Sequence, residues 1–419
     1  MLAVLMLLAA ACAGSTPDDG QAGGDGGDGE GGEGITWAIA RNDEPTHQAV
    51  ADLWNEANPD SPVTLELLPP EADGQREQMF LELNAQGDAF DVLALDVIWT
   101  GEFAEAGYLE NLEDLRGEVE GASLDGPLES AGYAGELWAL PYSTNVGFLY
   151  YRTDLVDEPP ATWDEAMEAG MAAAEEEGIS AYVGQGAEYE GLVVNFLEYF
   201  WGAGGELFSD DQGEALFAEG DAATTALEFM QTAQSEGFYA PGFDQAVEDD
   251  ARLAFQNGDA VFMRNWPYAY GLLSGDDDEQ ESAVADSFDI APLPTFTGDG
   301  TISALGGLNN AVSAFSSNTE LAKEFIVWAA TDPGAQGVLA ESLAPPPTLA
   351  AAYEGLDDPV AQQIFESLQD ARARPPVPAY NEFSVTVQQE VFGVYSGGND
   401  PAAGVEAIQS AADQATVQE

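Results

Sequence analysis

The chain has 419 residues, 45% of them apolar, so it can bury a large core and form two or more domains. Its 77 acidic residues against 9 basic ones give a formal net charge of −68. This charge argues against nucleic acid and anionic membrane surfaces as partners. Carboxylates keep a protein hydrated in concentrated salt, so the composition indicates a salt-tolerant, halophilic source or else a merely acidic secreted protein.

The first 34 residues predict export. Residues 1–11 are an apolar run too short to span a bilayer, and Cys12, the only cysteine, follows directly. Small residues before a cysteine in such a place resemble the lipobox of bacterial lipoproteins, in which the cysteine is lipidated. A plain secretory signal peptide and a core segment are the alternatives. Residues 13–34 are mostly Gly, Asp and Glu, which predicts a disordered tether behind the lipid anchor.

Strand and helix patterns alternate in the next part of the chain. Apolar runs at 35–40, 63–68 and 91–96 are typical of strands, and helical patterns begin at Pro45 and cover 75–84. A β-α-β-α-β order predicts a parallel sheet with helices on both faces. We therefore expect an α/β fold.

Polar side chains follow two of these strands. Asn42, Asp43 and Glu44 come after the first strand, and Asp96 ends the third. Ligands of open α/β sheets bind outside the carboxyl ends of the strands, so these groups are candidate ligand contacts. Helix capping is the alternative for the three acidic residues. The sole histidine, His47, lies in the first predicted helix, where we expect it at the surface.

The run 137–152 is strand-like except for a polar patch at Ser143, Thr144 and Asn145. Such a patch is unusual in a core strand and is typical of a crossing between domains beside a cleft. Gly306 and Gly307 allow a backbone to approach another group closely. Further helices are predicted at 189–202, 221–235, 249–257 and 319–330, and a strand at 260–264, which the segment 288–293 follows.

An aromatic segment ends the strand at 260–264. Pro267 fixes φ and lacks an N–H, so the strand stops and presents Trp266, Tyr268 and Tyr270 at its carboxyl end. A tryptophan ring can cover the apolar face of a sugar while nearby polar groups bond the hydroxyls. An ordinary aromatic core is the alternative interpretation.

Eight short motifs, taken together, resemble the extracellular solute-binding proteins of the sugar-transporter family, specifically the trehalose/maltose-binding branch. The resemblance covers nearly everything from Ile35 to the C-terminus. The motifs lie at 95–99, 108–110, 140–152, 189–192, 264–268, 291–294, 305–307 and 374–375.

The resemblance implies a two-lobed periplasmic-binding-protein fold of type II, with three hinge crossings and a sugar clamped between the lobes. Lobe one would comprise 35–144 plus 307–356, and lobe two 145–306 plus 357–419. It also implies a monomeric receptor without cofactor or metal that delivers a disaccharide or short oligosaccharide to ABC permease subunits. The receptor would sit at the outer face of the cytoplasmic membrane, held only by its lipid anchor, or in the periplasm.

Site residues follow from the same resemblance. Asp96 would accept bonds from sugar hydroxyls, Trp266 and Tyr268 would form an aromatic floor, and Arg374 would be a charged clamp. Ser143 and Leu308 stand where a relative carries aromatic rings, which leaves the identity of the disaccharide open. The implied contacts are Asn42, Asp43, Arg76, Asp96, Asn145, Glu190, Trp266, Tyr268, Gly306, Gly307 and Arg374.

Two other functions compete with a sugar receptor. A secreted glycoside hydrolase needs two carboxylates flanking one bond, and 77 acidic residues make a chance pair easy. A calcium-binding adhesin needs the spacing of a calcium loop, which the acidic runs 210–211 and 276–279 lack. We expect a binding protein without catalysis.

Overall fold

The computed structural model describes residues 34–209, 214–275, 281–300, 302–342, 345–354 and 357–416. The predicted signal peptide, Cys12 and nearly all of the tether lie outside the described residues, as do the two acidic runs. Among the described residues, no helix has the length and apolar character needed to cross a membrane.

Twelve strands form three sheets in the described part of the chain. They are β1 (Ile35–Ala40), β2 (Val63–Leu68), β3 (Val92–Asp96), β4 (Gly132–Tyr133), β5 (Glu136–Leu137), β6 (Leu140–Val146), β7 (Phe148–Arg152), β8 (Ser180–Val183), β9 (Ala260–Asn265), β10 (Phe288–Ala291), β11 (Ala304–Val312) and β12 (Arg372–Ala373).

The first sheet has six strands in the order β12-β11-β3-β1-β2, with β6 also paired to β11. Strand β1 runs parallel to both β2 and β3, which confirms the parallel pairing predicted from the β-α-β-α-β pattern. Strand β11 is antiparallel to β3 and β6. Because parallel strands end at one edge, this sheet brings Asp43 and Asp96 to the same side.

The second sheet has four strands in the order β10-β7-β9-β8. Strands β8 and β9 are parallel, and β7 runs antiparallel to β9 and β10. A short hairpin of β4 and β5 forms the third sheet.

The chain passes between the two large sheets at two well-defined points. Only Gly147 separates β6 of the first sheet from β7 of the second, and the chain returns where β11 begins at Ala304. Pairing within the first sheet includes Val146, Ala304 and β12, which lie beyond the expected bounds of lobe one. The lobe boundaries themselves stay a prediction.

Fifteen α-helices surround the sheets in the described residues. They are α1 (Glu44–Ala57), α2 (Ala72–Asn84), α3 (Thr100–Glu105), α4 (Arg116–Val119), α5 (Asp125–Ser130), α6 (Trp163–Glu177), α7 (Glu190–Gly202), α8 (Ala222–Glu236), α9 (Glu248–Gln256), α10 (Tyr268–Leu273), α11 (Thr319–Thr331), α12 (Pro333–Ser342), α13 (Pro359–Asp370), α14 (Tyr380–Tyr395) and α15 (Pro401–Ala415).

Helix α7 is the most buried of these helices, since each of its residues from Glu190 to Gly202 is buried. Its aromatic and branched side chains pack against α8 and α14. Its two glutamates, Glu190 and Glu198, are therefore buried charges, which require ion-pair partners. Both partners prove to be arginines.

The expectation that His47 lies at the surface is wrong. Its ring is fully buried between Trp37 and Tyr142, at centroid distances of 4.7 and 5.2 Å. The helical period places His47 on the same face of α1 as Val50, Ala51 and Trp54, which is the face turned to the sheet. Its Nδ1 donates to the Asp43 carbonyl at 2.9 Å.

Candidate functional site

The loop after β1 presents the first candidate contacts. Residues Arg41–Asp43 form a single 3₁₀ turn, in which Asn42 is exposed and Asp43 is half-buried. Asp43 occupies the N-cap position of α1, but its side chain makes no capping hydrogen bond, so the capping interpretation fails for it. Burial raises the pKa of its carboxyl group to about 6. Asp43 thus keeps carboxylate oxygens that a ligand could use.

Asp96 ends β3 and remains partly open, with its side chain 21% exposed. One carboxylate oxygen, Oδ1, accepts from the Ile98 amide at 3.2 Å and from Arg374 Nη2 at 3.1 Å. A local backbone hydrogen bond and an ion pair therefore coexist at this carboxylate, which does not cap α3, since the N-cap of that helix is Trp99. The position is set by pairing of β3 with β11, which places Asp96 opposite Leu308.

Arg374 lies just after β12 and joins β3 of the first sheet to helix α7. Its Nη1 donates to Glu190 Oε1 at 2.7 Å, while Nη2 bonds Asp96. The Tyr380 hydroxyl also donates to Glu190 Oε1 at 2.7 Å, and the Ser384 hydroxyl donates to Oε2. Burial raises the pKa of Glu190, and the Arg374 charge opposes this shift. Within the described residues, the buried Arg374 Nε has no hydrogen-bond partner.

Arg76 lies on α2 at the edge of this acidic group. Its Nε donates to Glu102 at 2.9 Å, and its guanidinium lies 5.6 Å from the Phe80 ring centroid. Burial raises the pKa of neighbouring Asp73, on which the charges of Arg76 and Asp96 also act. Arg76 and Asp96 thus both act on Asp73, and Glu102 is the direct partner of Arg76.

Trp266 follows β9 and is half-buried, as expected of a ring that can receive a ligand. Its amide donates to Asn265 Oδ1 at 2.9 Å, and its carbonyl accepts from the Tyr150 hydroxyl at 2.8 Å. The Arg264 guanidinium carbon lies 3.9 Å from the ring centroid. Backbone and ring are therefore both held in place before any ligand arrives.

Asn145 and Gly306 lie opposite each other on β6 and β11, beside this ring. A Cβ atom on Gly306 would come within 3.2 Å of both Trp266 Cη2 and Asn145 Cβ. The buried Asn145 Oδ1 has no hydrogen-bond partner in the described structure. Gly306 and Leu308 are two residues apart on β11 and face one side of the sheet, so Asn145 and Asp96 flank the same face.

Gly307 is explained by the fold itself. Its φ of 121° suits glycine, and a Cβ atom there would overlap the Ser143 carbonyl on β6. Its own carbonyl accepts from the Val97 amide at 3.2 Å. The close backbone approach predicted from Gly306 and Gly307 is therefore, at Gly307, an approach of β6.

Tyr268 begins α10, a short helix that the sequence pattern did not predict. Its hydroxyl lies 3.4 Å from Asp249 Oδ1, and burial raises its pKa. The turn of α10 directs Tyr270 toward Phe288 at a centroid distance of 5.2 Å. Tyr270 thus packs among aromatic side chains, and the end of β9 presents Trp266 and Tyr268.

Sequence reasoning missed Glu248 as a member of this group. Helix α9 precedes β9 and runs back along it, so its first residue must lie at the carboxyl end of β9. Asn265 Nδ2 donates a hydrogen bond to the Glu248 backbone carbonyl at 3.0 Å. Burial raises the pKa of the Glu248 carboxyl group, while the Tyr189 hydroxyl and the Trp266 indole lower it. The predicted order, in which a helix directly precedes the strand 260–264, was the sequence signal that could have identified Glu248.

The site is well separated from a surface cavity of about 590 Å³ on the second sheet. That cavity is lined by α6 and the amino end of β8, including Met171, Ile179 and Asp259. None of the expected contacts lines it. Three or more metal-ligating side chains do not cluster anywhere in the described residues.

Comparison with known proteins shows similarity along most of the chain. Residues 39–336 match the family described as bacterial extracellular solute-binding protein. A probable ABC transporter-binding protein of Deinococcus radiodurans is 30% identical over 384 residues, which cover 86% of this chain and 87% of the relative. A maltotriose-binding protein of Pyrococcus abyssi is 25% identical over 293 residues, covering 67% of this chain and 60% of the relative.

A solved structure is also similar to this chain along most of its length. Maltose-bound MalE3 of T. maritima superposes with a TM-score of 0.82 at 31% identity, covering 91% of this chain and 99% of that one. The expected two-lobed periplasmic-binding-protein fold is thereby confirmed.

Proposed function

Since this chain belongs to the bacterial extracellular solute-binding protein family, we propose that it binds a disaccharide such as maltose or trehalose and delivers it to ABC permease subunits. Family membership makes it a non-enzymatic sugar receptor that faces the outside of the cell. The identity of the sugar and the way the receptor is held are the proposed parts.

The observation that carries the proposal is the meeting of ligand-type groups from the first sheet and from helix α7. Asp96 comes from the first sheet, Glu190 from the start of helix α7, and Arg374 bridges them at 3.1 and 2.7 Å. The Trp266 ring lies against Gly306 of β11. Asn145, which pairs with Gly306, has a side-chain oxygen without a hydrogen-bond partner in the described structure. A ring face with acceptors and donors around it suits a sugar, whose apolar face stacks while its hydroxyls bond.

Ligand size is proposed from the relatives and from the residues that line the site. The named ligands of the two relatives above are maltose and maltotriose. Ser143 and Leu308 are smaller than the aromatic residues expected there, so this site offers fewer stacking surfaces. We therefore propose a disaccharide or a short glucan, bound with one principal stacking ring.

Calorimetric titration of the wild-type protein with maltose, trehalose, maltotriose and glucose tests this proposal. We expect saturable binding of at least one of the three oligosaccharides and weaker binding of glucose, which can fill only part of the cleft. Binding of none of them would contradict the proposed ligand class. Release of glucose from a bound disaccharide would instead favour the glycoside hydrolase.

We also propose that Cys12 carries a lipid anchor at the outer face of the membrane. The apolar run before it and the acidic tether after it support this placement. Replacement of Cys12 by alanine should move the protein from the membrane fraction to the medium. Equal membrane association of the variant would show that the anchor lies elsewhere.

A further inference from the structure

Glu198, near the middle of α7, binds both points at which the chain crosses between the sheets. Its Oε1 accepts from the Ala304 amide at 3.2 Å, where β11 begins, and from the Ser303 hydroxyl at 3.2 Å. Ser303 Oγ in turn accepts from the Gly147 amide at 2.6 Å, between β6 and β7. One carboxylate group therefore holds two crossings that adjoin each other.

Arg264 of β9 fixes this carboxylate. Its Nε and Nη2 donate to the two oxygens of Glu198 at 2.9 and 2.6 Å, and its side chain is 1% exposed. Its Nη1 donates to Gln185 at 3.3 Å, and Gln185 Nε2 donates back to the Arg264 carbonyl at 3.2 Å. A bidentate pair with further hydrogen bonds leaves the guanidinium a single orientation.

The same guanidinium supports the candidate stacking ring. Its central carbon lies 3.9 Å from the Trp266 ring centroid, a cation–π contact in a dry setting. The far edge of that ring, Cη2 and Cζ3, lies against Gly306, two residues beyond Ala304. Movement of the ring would therefore press on β11 and on Arg264 together.

Gly147 shows how little space this arrangement leaves. A Cβ atom there would lie 2.7 Å from Glu198 Oε1 and closer still to the Arg264 guanidinium. Its φ is not in the left-handed region, so space rather than torsion requires glycine. The conformational freedom expected of a hinge glycine is therefore not the reason for this residue.

From this geometry we infer that Arg264 and Glu198 form a positioning unit that couples the Trp266 ring to both crossings. The unit rests on the proposed function, because a sugar stacked on Trp266 is what would move the ring. It sets the ring's orientation in the free protein and transmits its displacement to Gly147 and Ala304. Arg264 acts on the sugar only through Trp266.

A double-mutant cycle on maltose affinity tests the coupling. Arg264→Lys keeps the charge but loses the planar fork and the stacking surface, so we expect affinity to fall about tenfold. In a Trp266→Ala background the same substitution should have no further effect, because the ring it positions is absent. Arg116→Lys, in the exposed pair with Glu113, is the matched control and should bind as wild type.

Two results would overturn the coupling. The first is unchanged maltose affinity of a folded Arg264→Lys protein. The second is additivity, in which Arg264→Lys weakens maltose binding by the same factor in the Trp266→Ala background as in wild type. If Arg264→Lys does not fold, Glu198→Gln replaces it, since its amide oxygen still accepts from the Ala304 amide. Loss of stability without this non-additivity in affinity would assign the pair to structure alone.

Amide exchange of the wild-type protein gives an independent readout. Maltose should slow exchange at Gly147 and Ala304 about tenfold but leave Thr36, whose amide bonds Asp91 at 2.8 Å in β1, unchanged. Equal exchange with and without bound maltose at all three amides would contradict the inference.

A protein that binds none of the sugars would refute the proposed ligand instead. In that case near-ultraviolet circular dichroism of the free proteins decides the inference. Arg264→Lys should change the indole band of Trp266 relative to Arg116→Lys, and identical spectra would overturn the positioning role.

Discussion

Helix α7 carries two buried glutamates, each paired with a buried arginine, and the surroundings of the two pairs differ. At Glu198 both carboxylate oxygens meet Arg264, and one of them also accepts from the Ala304 amide. Arg264 lies on β9, and Ala304 is the first residue of β11. This pair is complete without a ligand.

The pair at Glu190 is shared. Arg374 divides its two amino groups between Glu190 and Asp96, and its buried Nε has no partner in the described structure. Asp96 is partly exposed, and it belongs to β3 of the first sheet, whereas Glu190 belongs to helix α7. A hydroxyl-rich ligand can therefore exchange hydrogen bonds here at little cost, whereas at Glu198 it would have to break the core.

Burial of an ion pair alone therefore does not identify a ligand site. What distinguishes the two glutamates of α7 is whether all of their partners come from rigid neighbours or some of them face an opening. We expect changes at Glu198 to appear mainly in stability, and changes at Asp96 mainly in affinity.

The largest effect should come from breaking the complete pair. Glu198→Leu leaves the Arg264 charge buried without a partner and should reduce the free energy of unfolding by about 3–5 kcal/mol. Urea unfolding measures this loss. Glu206→Leu, in the exposed pair with Arg372, is the control and should cost at most about 1 kcal/mol. Equal losses in the two variants would remove the distinction between a complete and a surface pair.

Removal of the stacking ring should have the next largest effect. Trp266→Ala should weaken binding of the preferred sugar by about 2–4 kcal/mol, as at other buried aromatic anchors. Trp138, half-buried beside the β4–β5 hairpin, provides the matched control. Calorimetry should find Trp138→Ala close to wild type. Binding by Trp266→Ala within twofold of wild type would mean that the ring is ordinary core.

Asp91, directly before β3, and Asp96, its last residue, differ in the same way as the two glutamates. Asp96→Asn should weaken sugar binding by about 1.5–3 kcal/mol, because it removes a charged acceptor while Arg374 keeps Glu190. Asp91, which accepts from the Thr36 amide and the Ser316 hydroxyl, is buried structure. Asp91→Asn should therefore lower the urea midpoint and leave affinity unchanged. The reverse pattern would exchange the two roles.

The smallest expected effect concerns pH. Burial lowers the pKa of His47 to about 4, so its contribution to stability is complete above 6.5 and is lost as pH falls toward 4. Burial raises the pKa of Asp43 to about 6, so its contribution is present below 3.8 and lost as pH rises through 6. The two slopes oppose each other between about pH 4 and 6.

Asp43→Asn removes one of these opposing slopes. The variant should lose more stability than wild type as pH falls from 6.5 to 4, because the loss from His47 is no longer offset by the gain from Asp43. Urea unfolding at pH 4, 5 and 6.5 measures the two profiles. Parallel profiles would show that Asp43 titrates normally.

Local sequence predicted much of the scaffold. Strands at 35–40 and 63–68 are found with those bounds, and the predicted helices 189–202 and 319–330 appear as α7 and α11. Periodicity and proline are local signals, and tertiary packing agrees with them here. The helix α10 after Pro267 was not predicted, because a six-residue helix has too few turns to show a period.

Burial of polar residues could not be predicted from local pattern. His47 and the glutamates of α7 look alike in sequence, as polar residues within a helical pattern, yet all are buried. Which arginine meets which glutamate depends on strands that are far apart in sequence, since Arg264 lies 66 residues from Glu198 and Arg374 lies 184 residues from Glu190.

The family, the α/β class and the residue types that suit a sugar can be recognised in the chain alone, because these depend on local periodicity and on short motifs. The tertiary structure determines that Arg264 gives two of its donors to Glu198, whereas Arg374 is shared between Glu190 and Asp96. Pairing of β6 with β11 and the position of Arg374 between β3 and α7 fix that outcome. The reason is that a charge in a low-dielectric interior is stabilised by neighbours in space, whatever their separation along the chain.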